Sequence, residues 1–466
     1  MSSYLNKLPP PPPPPRAANS AAPASDDPQP AHLAVPTSRK GHKSTGSTSS
    51  HYNDAPELDS VTRTSSQKRS RATSRAVASL NPSPPPPSTS STSPAPAPVP
   101  SAVEDAPPVV PTDETILPAF TAPPPPPPEP TLSRRYGPLA DSFHHPADVL
   151  TFPPISPALP LKLVLLFIPG NPGLVDFYRH FLASLRDSLP GELRNQTKLY
   201  AVGHLRHTPG FDEDRGFNPR GLPSLDDQVK DKCTFVEGIV QEDGIGREDG
   251  PKLVVLGHSI GAWIGLQMLK ALPQHISSLH ALFPTLSHMA LTPNGRRLSP
   301  LFSSWALRPV FLSTSALSYL PRALLSRIVA LMTGQSGPGA QVTTALVGSP
   351  ETVVAALSMA REELERVRDV DVEALERYGE RMWVYWAAEG VDGWVTEEAV
   401  REIDEVLERV GGEEGRARRQ RCSEGMPHAF VLNEAHTTSL ARKCAGWIVE
   451  DLNAAAATDE GSKTAA

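Results

Sequence analysis

Cysteine is scarce: three residues, Cys233, Cys422 and Cys444, in a chain of 466. Three thiols cannot build a disulfide framework, and their number fits a reducing compartment. No run of 18 uncharged apolar residues occurs, so a plain transmembrane helix is not expected. The opening stretch, MSSYLNKLPPPPPPP, has no apolar core of the kind a secretory leader carries. Excess positive charge is also missing. The net charge is −7, and residues 1–135 hold 12 Lys and Arg against 10 Asp and Glu, which leaves −9 on the remainder. By bulk charge the chain is not a nucleic-acid binder. No internal repeat is evident.

Proline, in contrast, is abundant and local. Of 54 prolines, 34 fall in the first 150 residues. Runs at 9–15, 84–87 and 123–128 favour extended polyproline II. The Ser/Thr-rich tracts between them cannot bury enough apolar area to offset ordering entropy. Residues 1–135 therefore read as a disordered arm, with proline runs that fit SH3 or WW modules as partners. The basic stretch QKRSRATSR at 67–75 reads as part of a solvated tail, with a targeting or phosphorylation site as the alternative.

From about 136 the composition changes, and 136–455 reads as one domain, with 456–466 a disordered tail. Strand-like apolar runs appear at 162–170, 198–203, 252–257, 278–285, 381–390 and 418–424. Amphipathic stretches at 175–189, 224–241, 261–273, 397–410 and 436–452 alternate with them. Strands apolar on both faces and separated by helices imply a mostly parallel sheet covered on both sides, an α/β fold. Residues 286–380 interrupt the alternation as a long insertion.

The strongest local signal is LVVLGHSIGAWIG at 253–265, which places the G-x-S-x-G pattern Gly257-His258-Ser259-Ile260-Gly261 between a buried strand and a helix. That context suits a nucleophile elbow. The serine must sit on a tight, strained turn, so small residues flank it. Its hydroxyl then projects over the C-terminal edge of the sheet, where the helix N-terminus favours developing negative charge. A plain strand–turn–helix with a capping serine is the alternative.

A serine hydroxyl is a weak nucleophile without a base. In an open sheet of this type the partners follow in the order Ser, acid, His. Asp392 lies just past the fifth strand-like run, with Glu389 as a nearby competitor. His428, in Met426-Pro427-His428-Ala429-Phe430, lies between the last strand and the closing helix, where the base belongs. His436 is a rival at the start of that helix, and His258 is expected to pack beside the serine. An oxyanion hole needs two backbone N–H donors. Ile260 supplies one by position. In the loop Pro169-Gly170-Asn171-Pro172-Gly173, Pro172 has no N–H, which leaves Asn171 as the second. No metal or organic cofactor is required.

Together FIPGNPGLVDFYRHFL, VVLGHSIGA, LFPTLSHMALTPNGRRLSP, EGVDGWV and MPHAFVL resemble the lipid droplet-associated hydrolases, serine-hydrolase-type members of the α/β-hydrolase superfamily. The resemblance covers about 160–450 and not the arm. It implies an α/β-hydrolase fold, with Ser259 as nucleophile, Asp392 as acid and His428 as base. It also implies association with lipid droplets and the endoplasmic reticulum on the cytosolic face, and a neutral lipid ester substrate, with sterol esters among the candidates.

The insertion adds an independent indication. LSPLFSSWALRPVFLSTSALSYLPRALLSRIVALM (298–332) is apolar and aromatic but interrupted by Pro309, Pro321 and arginines. Two helices meeting at Pro321 suit a hairpin lying in a lipid monolayer, with Arg308, Arg322 and Arg327 reaching the head groups. A cap buried over the active site is the alternative, and the two are compatible. Residues 351–380 read as a charged amphipathic cap helix. The function expected is ester hydrolysis. Acyl transfer by the same triad, and a droplet-organising role with little turnover, stand as the competing readings.

Overall fold

The computed structural model describes residues 127–137, 145–210 and 221–465. Eight strands form one sheet: β1 (Thr131–Gly137), β2 (His145–Phe152), β3 (Leu163–Ile168), β4 (Thr197–Val202), β5 (Lys252–His258), β6 (Ile276–Leu282), β7 (Met382–Trp386) and β8 (Arg419–Arg421). Their spatial order is β1-β2-β4-β3-β5-β6-β7-β8. β2 runs antiparallel to both β1 and β4, and every other pairing is parallel. This order, with its antiparallel second strand, is that of the α/β-hydrolase fold.

The central strands explain the two covered faces. Side chains alternate along a strand with period two. In β3, Val164, Leu166 and Ile168 join one core, whereas Leu163, Leu165 and Phe167 join the other. Helices α1 (Arg179–Ser188) and α12 (Glu434–Ala465) cover the odd-numbered face, the first followed by the short α2 (Gly191–Asn195). Helices α3 (Leu225–Asp243), α4 (Ile260–Ala271) and α11 (Glu397–Ala417) cover the other. Ser224 starts α3 through a capping box with Asp227.

The insertion lies between β6 and β7 and holds α5 (Pro293–Phe302), α6 (Ser304–Ser318), α7 (Arg322–Thr333), α8 (Gly337–Val347), α9 (Pro350–Arg366) and α10 (Val372–Tyr378). Helices α6 and α7 meet at Pro321, the N-cap of α7, but α6 packs chiefly on α9 and α7 on α8, so the two do not lie against each other as the expected hairpin. Pro309 does not break the chain: it lies inside α6, near the helix start and on an exposed face. The stretch 351–380 is not one helix, because residues 367–371 separate α9 from α10. Trp305, Leu312, Tyr319, Leu331 and Met332, on or beside α6 and α7, are 60–89% exposed. Among the described residues no single helix is long and apolar enough to cross a membrane.

Two boundaries differ from expectation. Residues 131–135, assigned to the arm, are ordered in β1 by antiparallel pairing from Thr131↔Thr151 to Gly137↔His145. The sequence TLSRRYG has little apolar content, because an edge strand needs burial on neither face. The tail assigned to 456–466 continues α12 to Ala465; the alanine run 454–457 favours helix over coil. The part of the arm at 1–126 lies outside the described residues.

Candidate active site

Register brings the functional loops together. Ile168 at the end of β3 pairs with Gly257 in β5, so the loop after β3 lies beside the turn after β5. His258 pairs with Leu282, and Leu282 with Tyr385, which places the β7 loop at the same edge.

Strand β5 ends at His258 and α4 begins at Ile260, with Ser259 between them at φ 55° and ψ −124°. A backbone in this region is disfavoured for a residue with a Cβ, by about 1–3 kcal/mol. Three hydrogen bonds hold it. The Ser259 N–H donates to the Leu282 carbonyl (3.0 Å), and the N–H groups of Ala262 (3.0 Å) and Thr285 (3.3 Å) donate to the Ser259 carbonyl. The flanking glycines provide space: a Cβ on Gly257 would lie 2.4 Å from the Gly261 carbonyl oxygen, and one on Gly261 would lie 2.3 Å from that of Ile168. The Ser259 side chain does not cap α4, which removes the capping alternative.

Instead, Ser259 Oγ lies 2.8 Å from His428 Nε2, and His428 Nδ1 lies 2.8 Å from Asp392 Oδ2. A carboxylate only accepts, so Nδ1 carries a proton toward Asp392 and Nε2 accepts from the serine hydroxyl. The Trp394 N–H donates to the other carboxylate oxygen of Asp392 at 2.7 Å. Asp392 is nearly sealed and His428 slightly open, with side chains 7% and 16% exposed. Glu389 is exposed and does not replace Asp392 at His428. His436 lies in the first turn of α12, its own N–H donating to Asn433 Oδ1.

His258 packs beside the serine, as expected, but also has a definite set of bonds. Its Nε2 is 2.9 Å from the His428 carbonyl oxygen, and its Nδ1 is 2.8 Å from Tyr178 Oη, which in turn accepts from the Gly170 N–H at 3.1 Å. Burial, with His428 close by, holds the His258 imidazole well below the ordinary histidine range, so the ring is neutral. Burial also raises the Tyr178 phenol, which keeps its proton. Sequence reasoning did not find Tyr178, because its partners are 8 and 80 residues away and no local pattern marks it.

The loop after β3 sits against the serine. A Cβ on Gly170 would lie 2.9 Å from Ser259 Cβ, so only glycine permits this approach. The Gly170 N–H is occupied by Tyr178, and that of Gly173 donates to the Gly170 carbonyl at 2.7 Å. No other described residue takes up the N–H groups of Asn171 and Ile260. The Asn171 side chain reaches the cap, donating to the Ala356 carbonyl and to Glu363 Oε1, each at 2.9 Å. Burial pushes the Glu363 carboxyl up to about 8, against the lowering effect of the Asn171 hydrogen bond.

Above Ser259 and His428 opens a cavity of about 440 Å³, walled largely by Met289, Leu298, Phe302, Val353, Leu357 and Trp394. Its size is that of a small-ligand site. The arrangement can activate a hydroxyl beside an apolar pocket, with two backbone donors close by.

Comparison with known proteins gives the same direction. The family model described as lipid-droplet associated hydrolase matches residues 161–431. A lipid droplet-associated hydrolase of Gallus gallus is 28% identical over 304 residues, covering 62% of this chain and 86% of that protein. One of Drosophila melanogaster is 29% identical over 293 residues, covering 59% and 85%. Among solved structures, the peroxisomal α/β-hydrolase Lpx1 of Saccharomyces cerevisiae superposes with a TM-score of 0.47 at 12% identity, covering 70% of this chain and 89% of that one. Since the family model spans more than half of the sequence, the chain belongs to the lipid-droplet associated hydrolase family.

Proposed function

We propose that the protein is a serine carboxylic-ester hydrolase acting on neutral lipid esters, sterol esters among them, at the lipid droplet surface. The observation that carries this reading is the unbroken hydrogen-bonded chain from Ser259 Oγ through His428 to Asp392, opening into a cavity with apolar walls. Ser259 Oγ attacks the ester carbonyl while His428 Nε2 takes its proton. Asp392 orients the ring and stabilises the imidazolium. The N–H groups of Asn171 and Ile260 receive the oxyanion. Collapse of the tetrahedral species breaks the C–O bond, and His428 returns the proton to the leaving alkoxide. A water molecule, deprotonated by His428, then releases the fatty acid and restores the serine.

Exposed apolar side chains on and beside α6 and α7 support lipid access. Trp305, Leu312, Tyr319, Leu331 and Met332 suit burial in a droplet monolayer or the cytosolic leaflet of the endoplasmic reticulum, with the exposed Arg308, Arg322 and Arg327 at head-group level. The proline-rich arm would offer ligands to SH3 or WW modules.

The same apolar face supports a second reading, a droplet-organising protein with little turnover. Purified wild type and Ser259→Ala, assayed on sterol esters, acylglycerols and short p-nitrophenyl esters, separate the two. Turnover by wild type and its loss in the variant support the esterase. Equal residual rates, together with rescue of droplet morphology by Ser259→Ala in cells lacking the protein, support the organising role.

A further inference from the structure

The cavity above Ser259 has one feature that ester cleavage does not use. Glu363, on α9, is 4% exposed and lines the cap side of the cavity, where Gln335 is the other polar side chain among apolar neighbours. The amide of Asn171 fixes how this carboxyl is presented. The Ala356 carbonyl can only accept, so the Asn171 atom beside it is the nitrogen, and its second N–H donates to Glu363 Oε1. Oε1 is therefore the accepting oxygen. Oε2 has no hydrogen-bond partner among the described residues, yet it is not one of the polar atoms sealed inside the protein. Glu363 is itself a lining residue of the cavity.

An unpaired buried polar group is unfavourable until something in the site satisfies it. With Oε1 accepting from Asn171, a protonated Glu363 carries its hydrogen on Oε2, where the atom both donates and accepts. A free hydroxyl is the group that matches both roles. The position is also informative. The backbone N–H of Asn171 belongs to the proposed oxyanion site and its side chain donates to Glu363, so a single residue links the carboxyl to that site.

We propose that Glu363 Oε2 binds a free hydroxyl on the alcohol part of the substrate, so that the Ser259 site selects partial acylglycerols over esters whose alcohol part has no hydroxyl. This rests on the esterase reading above and narrows its substrate class, placing sterol esters, whose alcohol part has no free hydroxyl, below partial acylglycerols. Glu363 is a specificity residue here; bond cleavage belongs to Ser259 and His428.

The test compares 1-monooleoylglycerol with methyl oleate, which share an acyl chain, in the same detergent micelles with the full-length protein. Wild type is expected to favour the glycerol ester in kcat/KM by on the order of tenfold, the discrimination of one satisfied hydrogen bond. Glu363→Gln, which keeps a donor at this position, retains most of the preference, and Glu363→Leu abolishes it. A Glu363→Leu protein that loses rate on both esters equally overturns the proposal and leaves Glu363 as a tether for Asn171. A second measurement needs no variant. Capping both glycerol hydroxyls as methyl ethers is expected to remove the wild-type preference, and an undiminished preference for the capped ester overturns the proposal. If wild type cleaves none of these esters and Ser259 takes no covalent probe, the esterase reading itself fails and this inference falls with it.

Discussion

His258 Nε2 lies 2.9 Å from the backbone carbonyl oxygen of His428, 170 positions later in the chain. A carbonyl only accepts, so the proton of the neutral His258 ring is on Nε2, and Nδ1 accepts from the Tyr178 hydroxyl. Tyr178 Oη in turn accepts from the Gly170 N–H. One line of hydrogen bonds thus joins the loop of the expected oxyanion hole to the loop that carries the expected base, passing behind Ser259 without touching it. Its physical role is positional. It fixes the backbone on either side of the reacting atoms.

Tyr178→Phe removes the hydroxyl and leaves both the Gly170 N–H and His258 Nδ1 without partners in a buried setting. The loss of stability is expected at about 1–3 kcal/mol, visible as a fall of a few degrees in Tm. Ester turnover should fall about tenfold in kcat with KM little changed. Calorimetry and steady-state kinetics on one preparation check both, and unchanged kcat would mean that the line is dispensable for positioning.

Asp392→Asn can no longer hold His428 in the tautomer that accepts from serine, and the expected drop in kcat is about 10³–10⁴-fold. Glu389→Gln, at an exposed position, is expected to stay within about twofold of wild type. The reverse ranking in a p-nitrophenyl ester assay would move the acid to Glu389.

Glu363 gives stability a sign with pH. Its carboxyl is pushed up to about 8 in the folded chain, against an ordinary value of 4.5. Between those values the folded state keeps a proton that the unfolded state has released, so stability declines as pH rises through this window and levels off above it. Glu363→Gln lacks the titrating group and should lose that decline. Urea unfolding at pH 5, 7 and 9 measures the difference, and parallel pH dependences for the two proteins would contradict it.

The exposed apolar side chains of α6 and α7 and the turn between them are expected to control partition to lipid. Replacing Tyr319, Leu331 and Met332, each at least 79% exposed, by serine removes apolar area worth up to about 1.5–3 kcal/mol per side chain when fully buried. Flotation with phospholipid-coated triolein droplets should give at least about tenfold weaker binding at unchanged Tm. Full retention on droplets would place the contact surface elsewhere.

Much of this architecture was legible in the sequence because the central strands are buried on both faces and so appear as unbroken apolar runs. The Ser259 turn was legible through its glycines, which close contacts with β3 and α4 require. Asp392 and His428 were singled out by chain order and loop position, and the fold brings them within hydrogen-bonding distance of each other and of Ser259. What escaped has a common cause. Strand β1 is held by backbone pairing at a sheet edge, which leaves little trace in side-chain pattern. Strand β2, whose burial in HPADVLTF spans both polar and apolar residues, shows no clean alternation either. Tyr178 and Glu363 act through contacts as much as 80 and 192 residues away, and a single tyrosine or glutamate on a helix reads as an ordinary amphipathic residue until the fold brings its partner in.

The central claim is that the Ser259 hydroxyl is a nucleophile activated by His428. Fluorophosphonate labelling of the purified protein, with the adduct located by mass spectrometry, tests this directly. The account predicts stoichiometric modification of Ser259, abolished in Ser259→Ala and slowed by at least about 100-fold in His428→Ala. Equal labelling of wild type and Ser259→Ala, or wild type that stays unmodified while folded, would contradict it.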